Sequence, residues 1–218
     1  MNESLRQYYL QQMGIDVWKK KTNAEESSCH ASRTQNISLD ELKEQVKTCQ
    51  ACILAKTRTQ IVFGTGSPNA DWMIIGEAPG FYEDQQGEPF VGRAGQLLNA
   101  MLASVGRKRE EVYIANVLKC RPPNNRDPAP LEVEQCTPFL KKQIQLISPK
   151  LILALGRHAA QFLLNTEESM RNLREKSYFW GEEKIPVWVS YHPAYLLRNP
   201  AEKAKAWIDW LKVKKELY

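Results

Sequence analysis

Four short apolar runs, each bounded by polar residues, glycine or proline, predict buried β-strands. They occupy residues 72–75, 112–115, 151–155 and 185–189. Segments with the helical spacing of apolar residues lie between and after them, at residues 93–105, 130–147, 157–164 and 201–217. Strands that alternate with helices along the chain predict an α/β domain with a central, mainly parallel, four-stranded sheet.

Two residues refine the helix predictions. Gly106 directly follows the segment 93–105, and a glycine at that position commonly ends a helix. Pro138 lies inside the segment 130–147. It predicts a kink or a break there, because proline removes a helical hydrogen bond and clashes with the preceding turn.

The pattern changes near residue 37. Residues 1–21 carry scattered apolar side chains and predict a short helix followed by an extended segment, whereas residues 22–36 are polar and predict a flexible linker. Ser38 and Glu41 have the spacing of a capping box, so an ordered helix is expected to begin there. The folded domain is therefore expected to occupy residues 37–218.

Composition and charge narrow the class of protein. Hydrophobic residues make up 43% and charged residues 25% of the 218, a balance typical of globular proteins. No apolar run approaches the ~20 residues that span a bilayer, and the N-terminus lacks the pattern of a secretory signal, so we expect a cytoplasmic protein without membrane association. The net charge of +5 resides in residues 41–218 and would suit a nucleic-acid partner.

Five cysteines offer thiols for metal binding. Their odd number, in a chain without a predicted signal, argues against a disulfide framework. Cys49 and Cys52 form a CxxC pair, and Cys120 and Cys136 stand singly on later elements. Four thiolates suit a zinc ion or a four-iron, four-sulfur cluster, and the wide spacing favours the cluster only slightly; the alternative is four unrelated thiols. Cys29, in the predicted linker, is expected to be an incidental free thiol.

A polar motif follows each predicted strand. In chain order, these motifs are GEAPG at 76–80, Asn116 with CRPPNNR at 120–126, GRH at 156–158, and His192 with Pro193. Because the carboxyl ends of parallel strands meet at one edge of a sheet, the motifs are expected to converge on a ligand site. The stretch 76–96 carries several glycines and prolines around Phe90, and glycines allow the backbone to approach a ligand closely.

These motifs, taken in order, resemble those of the family 4 uracil-DNA glycosylases. The matching strings are GEAPG, EDQQGEPFVGRAGQLL, NVLKCRPPNNRDP and HPAYLLR, together with four of the cysteines, and the resemblance covers residues 37–218. It implies a three-layer α/β/α fold and excision of uracil from DNA, the first step of base excision repair. It also implies a four-iron, four-sulfur cluster on Cys49, Cys52, Cys120 and Cys136. The uracil pocket that it implies is formed by Gly76, Glu77, Ala78, Phe90, Asn116 and His192.

The residue types of the implied pocket suit this chemistry. A base inside a duplex must be flipped out of the stack before an enzyme can reach it, and Phe90 is expected to stack on the flipped ring. Asn116 is expected to donate to uracil O4 and to accept from N3–H. Cytosine reverses that pattern, so a fixed Asn116 side chain would exclude it.

Bond cleavage leaves negative charge on the departing uracil, chiefly on O2 and N1, and His192 is the expected donor to O2. Glu77 is expected either to orient the attacking water or to brace the pocket through backbone N–H groups. Ala78 stands where the better-known uracil glycosylases carry a water-orienting aspartate. Glu83 and Asp84 are expected to brace the loop.

Four side chains beside the motifs are expected to contact the DNA backbone, namely Arg121, Asn125, Arg126 and Arg198. Leu196 and Leu197 follow His192. One of them is expected to wedge into the gap left by the flipped base, or both belong to the core. His158 begins a predicted helix and is expected to be structural.

Residues 6–18 resemble the N-terminal peptide of the psi subunit of the bacterial DNA polymerase III clamp loader, which docks on the clamp-loader collar. The resemblance implies that residues 1–21 recruit the protein to the replication machinery, as a short ligand with apolar anchors. The alternative is that this segment packs on its own domain.

The resemblance implies an enzyme that acts on uracil in single- or double-stranded DNA. The sequence gives no sign of obligate oligomerisation, so we expect a monomer, and we expect it at the nucleoid. Three other functions stay open at this point: a glycosylase for hypoxanthine or xanthine, a non-catalytic nucleic-acid-binding module, and a structural protein that binds only zinc.

Overall fold

A computed structural model describes residues 37–216 of the chain. The predictions for the N-terminal peptide, the linker and Cys29 lie outside the described residues. The first described element is a helix over Leu39–Thr48, capped as predicted: the backbone N–H of Glu41 donates to the Ser38 hydroxyl, and the Glu41 carboxylate accepts from the Ser38 N–H.

The central sheet of the described residues has six strands, in the order β1-β3-β2-β4-β6-β5. The strands are β1 Thr65–Gly66, β2 Trp72–Gly76, β3 Tyr113–Asn116, β4 Leu151–Leu155, β5 Tyr178–Trp180 and β6 Ile185–Ser190. Strands β2, β3, β4 and β6 pair in parallel, which confirms the four predicted strands as the middle of the sheet.

The prediction of a four-stranded sheet is wrong, because β1 and β5 add antiparallel edges and make the sheet mixed. Strand β1 has only two residues, one of them a glycine, and β5 has three residues that are only partly covered. Neither strand contains a buried apolar run, so local sequence carries no signal for it. Both exist because their backbones pair with a stronger neighbouring strand.

The described helices lie before, between and after the strands of the sheet. They are α1 Leu39–Thr48, α2 Phe81–Gln86, α3 Arg93–Ser104, α4 Pro130–Ile147, α5 Arg157–Leu164, α6 Met170–Arg174, α7 Pro193–Arg198 and α8 Lys203–Glu216, with short 3₁₀ turns at Ile53–Lys56, Arg109–Glu111, Pro123–Asn125 and Pro200–Glu202. As predicted, α3 ends just before Gly106, which adopts a left-handed φ of 80°. No helix among the described residues is long and apolar enough to cross a bilayer.

Pro138 neither splits α4 nor ends it, contrary to one of the predicted outcomes. Proline removes the N–H that would bond to the carbonyl four residues earlier, which belongs to Glu134. Pro138 and Glu134 are both exposed, so water can satisfy that carbonyl. Beyond the proline, Leu140 and Ile144 are fully buried against the sheet, and this burial favours continuation of the helix.

Successive residues of the buried strands point to opposite faces of the sheet, and helices cover both faces. On one face, Met73 and Ile75 pack with α4 and α5. On the other face, Trp72 and Ile74 pack with α3 and α8. The result is a three-layer α/β/α domain in which the carboxyl ends of the four parallel strands open at one edge.

Candidate active site

A cavity of about 730 Å³ lies beyond the carboxyl ends of the parallel strands. Five predicted pocket residues line it, namely Glu77, Ala78, Phe90, Asn116 and His192. They come from four places in the sequence: Glu77 and Ala78 directly follow β2, Phe90 lies between α2 and α3, Asn116 ends β3, and His192 lies two residues beyond β6. The convergence expected from a parallel sheet is therefore present.

Gly76 does not line the cavity but lies directly behind it. A Cβ at this position would stand 2.4 Å from Asn116 Oδ1 and 2.8 Å from the Phe90 ring, distances that real Cβ atoms do not adopt. The missing side chain therefore makes room for the Asn116 carboxamide and the Phe90 ring at the end of β2.

Phe90 is held in an unusual backbone conformation, with a φ of 53°. Such a left-handed conformation persists in a residue other than glycine only when its surroundings enforce it. Gly95 packs so closely that a Cβ there would lie 1.7 Å from the Phe90 carbonyl oxygen, and Arg109 donates to that same oxygen. The Phe90 ring is 6% exposed and stacks against His192, with ring centroids 5.4 Å apart.

His192 is a neutral hydrogen-bond donor at physiological pH. The backbone N–H of Ala194 donates to His192 Nδ1 at 3.1 Å, so in the neutral ring the proton sits on Nε2. Burial, together with a smaller contribution from the nearby Arg198, lowers the pKa of His192 to about 4. The ring thus offers an N–H to the cavity without carrying a charge.

Glu77 shares its side of the cavity with two further ionisable residues, Asp127 and His158. One ligand-type atom from each of the three side chains lies within 4.8 Å of the others, and His158 Nε2 is 3.5 Å from Asp127 Oδ2. Burial raises the pKa of Glu77; His158 opposes this shift and Asp127 adds to it.

Sequence reasoning missed Asp127 as a site residue and assigned His158 a structural role. The structure places both in the cavity. For His158, the available signal was its position in the GRH motif directly after β4, at the same edge as the other motifs.

The loop-bracing prediction for Glu83 and Asp84 is confirmed. Glu83 Oε1 accepts hydrogen bonds from the backbone N–H groups of Val91 and Gly92, at 3.1 and 3.2 Å. Asp84 is buried and accepts from the backbone N–H of Thr59 at 3.0 Å. The Glu83 bonds connect α2 to the segment that presents Phe90, and the Asp84 bond connects α2 to the segment before β1.

The four predicted DNA-backbone residues lie at or beside the cavity, but they differ in how their charges are engaged. Asn125, Arg126 and Arg198 line the cavity, and Arg121 Nε donates to Asn125 Oδ1 at 2.7 Å. Arg126 forms a two-pronged ion pair with Glu132, which is buried at the first turn of α4. The charge of Arg126 is therefore largely compensated within the protein.

The two leucines after His192 differ in burial. Leu196 is 1% exposed and belongs to the core, whereas Leu197 is only half-buried. Leu196 therefore has the environment of a core residue, and only Leu197 is still available as a wedge.

Four cysteines from separate elements line a second, small pocket: Cys49 and Cys52 on either side of the turn after α1, Cys120 after β3, and Cys136 in α4. Arg58 donates to Cys120 Sγ at 3.2 Å, and the backbone N–H of Lys119 donates to Cys136 Sγ at 3.3 Å. Among the described residues, no three of these sulfurs lie within 4.8 Å of one another.

Comparison with known proteins gives a consistent family. Residues 63–212 match the model of the uracil DNA glycosylase superfamily. The chain is 46% identical to a type-4 uracil-DNA glycosylase of Archaeoglobus fulgidus over 81% of this chain and 92% of that protein. It is 46% identical to a type-4 uracil-DNA glycosylase of Sulfurisphaera tokodaii over 75% of this chain and 77% of that protein. It is 43% identical to a type-4 uracil-DNA glycosylase of Thermotoga maritima over 79% of this chain and 90% of that protein.

Proposed function

The chain belongs to the type-4 uracil-DNA glycosylases of the uracil-DNA glycosylase superfamily, and from this membership and the cavity we propose how it works. It excises uracil from DNA by hydrolysing the N-glycosidic bond of a flipped deoxyuridine, the first step of base excision repair. The observation that carries this proposal is the meeting of Phe90, Asn116 and His192 in one cavity.

Recognition of the base rests on Phe90 and Asn116. The Phe90 ring presents a fixed surface on which the flipped uracil stacks. The Asn116 carboxamide donates to uracil O4 and accepts from N3–H. Its position is set by the close packing at Gly76 and by the buried Lys119, which donates to the Asn116 backbone carbonyl at 2.7 Å. Cytosine would leave these buried polar groups unpaired, which accounts for discrimination against it.

Bond cleavage is driven by stabilisation of the departing base. As the C1′–N1 bond breaks, its electron pair moves onto the uracil ring, and O2 gains negative charge. His192 Nε2–H donates to that oxygen. A neutral donor fixed in place needs no reorganisation during the reaction, and one such donor typically contributes ~10²–10³ in rate.

We assign to Glu77 the role of positioning the attacking water. Its carboxylate orients a water molecule toward C1′ and stabilises the positive charge on the sugar. The water oxygen bonds to C1′, and the proton that it loses is taken up by the Glu77 carboxylate or by the departing uracil anion. Burial raises the pKa of Glu77, and His158 opposes this shift and so favours the ionised form that this role requires.

Uracil release from a labelled oligonucleotide with one deoxyuridine tests the activity and the assignment together. We expect release by the wild-type protein and a loss of at least ~10²-fold for Asn116→Ala. Gln161→Ala, on α5 outside the cavity, serves as the matched amide control. Release by Asn116→Ala at the wild-type rate would contradict the assignment of the pocket, and hypoxanthine or xanthine release without uracil release would contradict the substrate.

We also propose that Cys49, Cys52, Cys120 and Cys136 hold a four-iron, four-sulfur cluster. All four thiols face one pocket, and two of the sulfurs already accept hydrogen bonds, a feature that tunes such clusters. The alternative occupant of four thiolates is a tetrahedral zinc ion. These four residues would hold the cluster between the end of α1 with its following turn, the segment after β3, and α4.

The visible absorption spectrum tests the cluster independently of activity. A brown protein that absorbs near 400 nm and loses this band in Cys120→Ala is the expected result. A colourless protein that retains stoichiometric zinc would overturn the proposal.

The resemblance of residues 6–18 to the psi-subunit peptide supports a proposal for the N-terminus. We infer that residues 1–21 bind the replicative clamp loader and bring the enzyme to newly made DNA. Deletion of residues 1–20 is expected to abolish binding to the purified clamp loader and to leave uracil release from a free oligonucleotide unchanged. Unchanged affinity for the clamp loader after the deletion would refute this role.

We also propose an oligomeric state and a cellular location for the protein. Every residue assigned to the pocket comes from one chain, so the enzyme is proposed to act as a monomer, on chromosomal DNA in the cytoplasm. A sedimentation experiment at micromolar concentration tests the monomer; a stable dimer would contradict it.

A further inference from the structure

Two large aromatic side chains lie exposed at the beginning of α2, beside the mouth of the cavity. Phe81 is 51% exposed and Tyr82 is 60% exposed, although aromatic rings contribute most to stability when buried. They directly follow Gly80, which lines the cavity. Neither ring takes part in the recognition or cleavage steps proposed for this enzyme.

The two rings and one arginine form a continuous surface. Phe81 and Tyr82 meet edge to face, with ring centroids 5.5 Å apart. The Arg121 guanidinium lies over the Phe81 ring, 5.1 Å from its centroid. Arg121 also donates to Asn125, which lines the cavity, so the surface is continuous with the cavity wall.

The segment that carries these rings is held firmly. Glu83, the next residue of α2, accepts two backbone hydrogen bonds from the segment after Phe90, and Asp84 is buried. Tyr82 Cδ2 would lie 3.5 Å from a Cβ at Gly92, which places the ring next to that segment. The aromatic surface is therefore fixed relative to the Phe90 ring.

We propose that Phe81, Tyr82 and Arg121 form a stacking subsite for an unpaired nucleobase next to the flipped uracil, and that this subsite promotes excision from single-stranded DNA. The proposal rests on the uracil-excising function of the cavity. Exposed aromatic rings beside a cation are the usual means by which proteins bind single strands, because every base has a flat face that can stack. The Arg121 guanidinium supplies the charge that a neighbouring phosphate requires.

The state of the DNA decides how much the subsite contributes. In a duplex, the neighbouring base is already stacked and paired, so moving it onto the protein would cost those interactions. In a single strand it is free, and stacking on a protein ring is a net gain. The subsite should therefore increase single-strand excision selectively.

The test compares wild type with the double variant Phe81→Ala/Tyr82→Ala on a deoxyuridine strand, alone and in a duplex. Both side chains are more than half exposed, so their truncation spares the core. We expect kcat/KM for the single strand to fall on the order of tenfold. The loss on the duplex should stay below about threefold, and inhibition by free uracil should not change, because free uracil occupies only the cavity.

Two controls separate stacking from other effects. Phe179→Ala removes a ring that is 64% exposed on β5 and does not line the cavity, and it should leave both substrates unaffected. Phe81→Leu/Tyr82→Leu keeps apolar surface without a flat ring and should lose nearly as much as the alanine pair. Equal losses on both substrates, no loss at all, or full activity of the leucine pair would overturn the subsite.

A binding measurement keeps this result distinct from a failure of the proposed function. A strand with 2′-fluoro-deoxyuridine resists cleavage, because fluorine disfavours positive charge on the sugar, and its affinity is measured by fluorescence anisotropy. We expect the alanine pair to weaken this affinity about tenfold. A wild-type protein that releases no uracil would refute the function, whereas unchanged strand affinity in the alanine pair would refute the subsite.

Discussion

Gly76→Ala adds one methyl group at the end of β2 and probes the precision of the pocket. The new Cβ would lie 2.4 Å from Asn116 Oδ1 and 2.8 Å from the Phe90 ring. To restore ordinary contact, the Asn116 carboxamide must move by about 1 Å. A misplacement of this size in a catalytic site costs roughly 10²-fold, or about 2.7 kcal/mol of transition-state stabilisation.

The assay is single-turnover uracil release from a labelled oligonucleotide at 25 °C, with the fold checked by circular dichroism. Gly92→Ala is the matched control, because a Cβ there would meet its neighbours only at 3.5 and 3.6 Å, which is ordinary contact. We expect Gly92→Ala to stay within about threefold of wild type. A folded Gly76→Ala protein with wild-type kcat/KM would refute the reasoning, since Asn116 would then not need its observed position.

Three further predictions concern the acid limb of the activity, the core and the two leucines. Activity should fall as the pH drops through the pKa of Glu77, which burial raises above its ordinary value of 4.5. His192 has a pKa of about 4, so its protonation should not lower activity above pH 5. Glu77→Gln should lower kcat about 10²-fold and remove this limb, and a pH–rate profile that keeps it would contradict the role of Glu77. Asp209→Ala should lower the free energy of unfolding by about 3–5 kcal/mol, because it breaks the buried 2.7 Å ion pair with Arg174 of α6. A Tm within 2 °C of wild type would argue against a stabilising role for that pair. Leu196→Ala should lower the free energy of unfolding by about 2–4 kcal/mol, whereas Leu197→Ala should reduce excision from duplex more than from single strands; equal losses on the two substrates would exclude Leu197 as a wedge.

The comparison of Leu197 with the aromatic subsite is informative, because the two are expected to act on opposite substrates. A wedge fills the gap in a duplex from which the base has been flipped, and a single strand has no such gap. A stacking surface gains only where the neighbouring base is unpaired. Together, the variants would show which part of the rim serves each form of DNA.

Much of the fold was determined by local sequence. The four parallel strands and the helices α3, α4, α5 and α8 follow from apolar periodicity, which depends only on neighbouring residues. The capping box at Ser38 and Glu41 and the left-handed Gly106 were predicted for the same local reason. The motifs after each strand also predicted the main pocket residues, because the parallel order of strands brings their ends together.

Only the tertiary structure decided the features that depend on contacts between distant residues. The edge strands β1 and β5 are too short to carry a pattern and form by pairing with a neighbour. Glu77, Asp127 and His158 meet although they come from three distant parts of the chain, and Gly76 is required by side chains 14 and 40 residues away, Phe90 and Asn116. Periodicity reports which face of an element is buried; which side chains then meet across elements is set by packing in three dimensions.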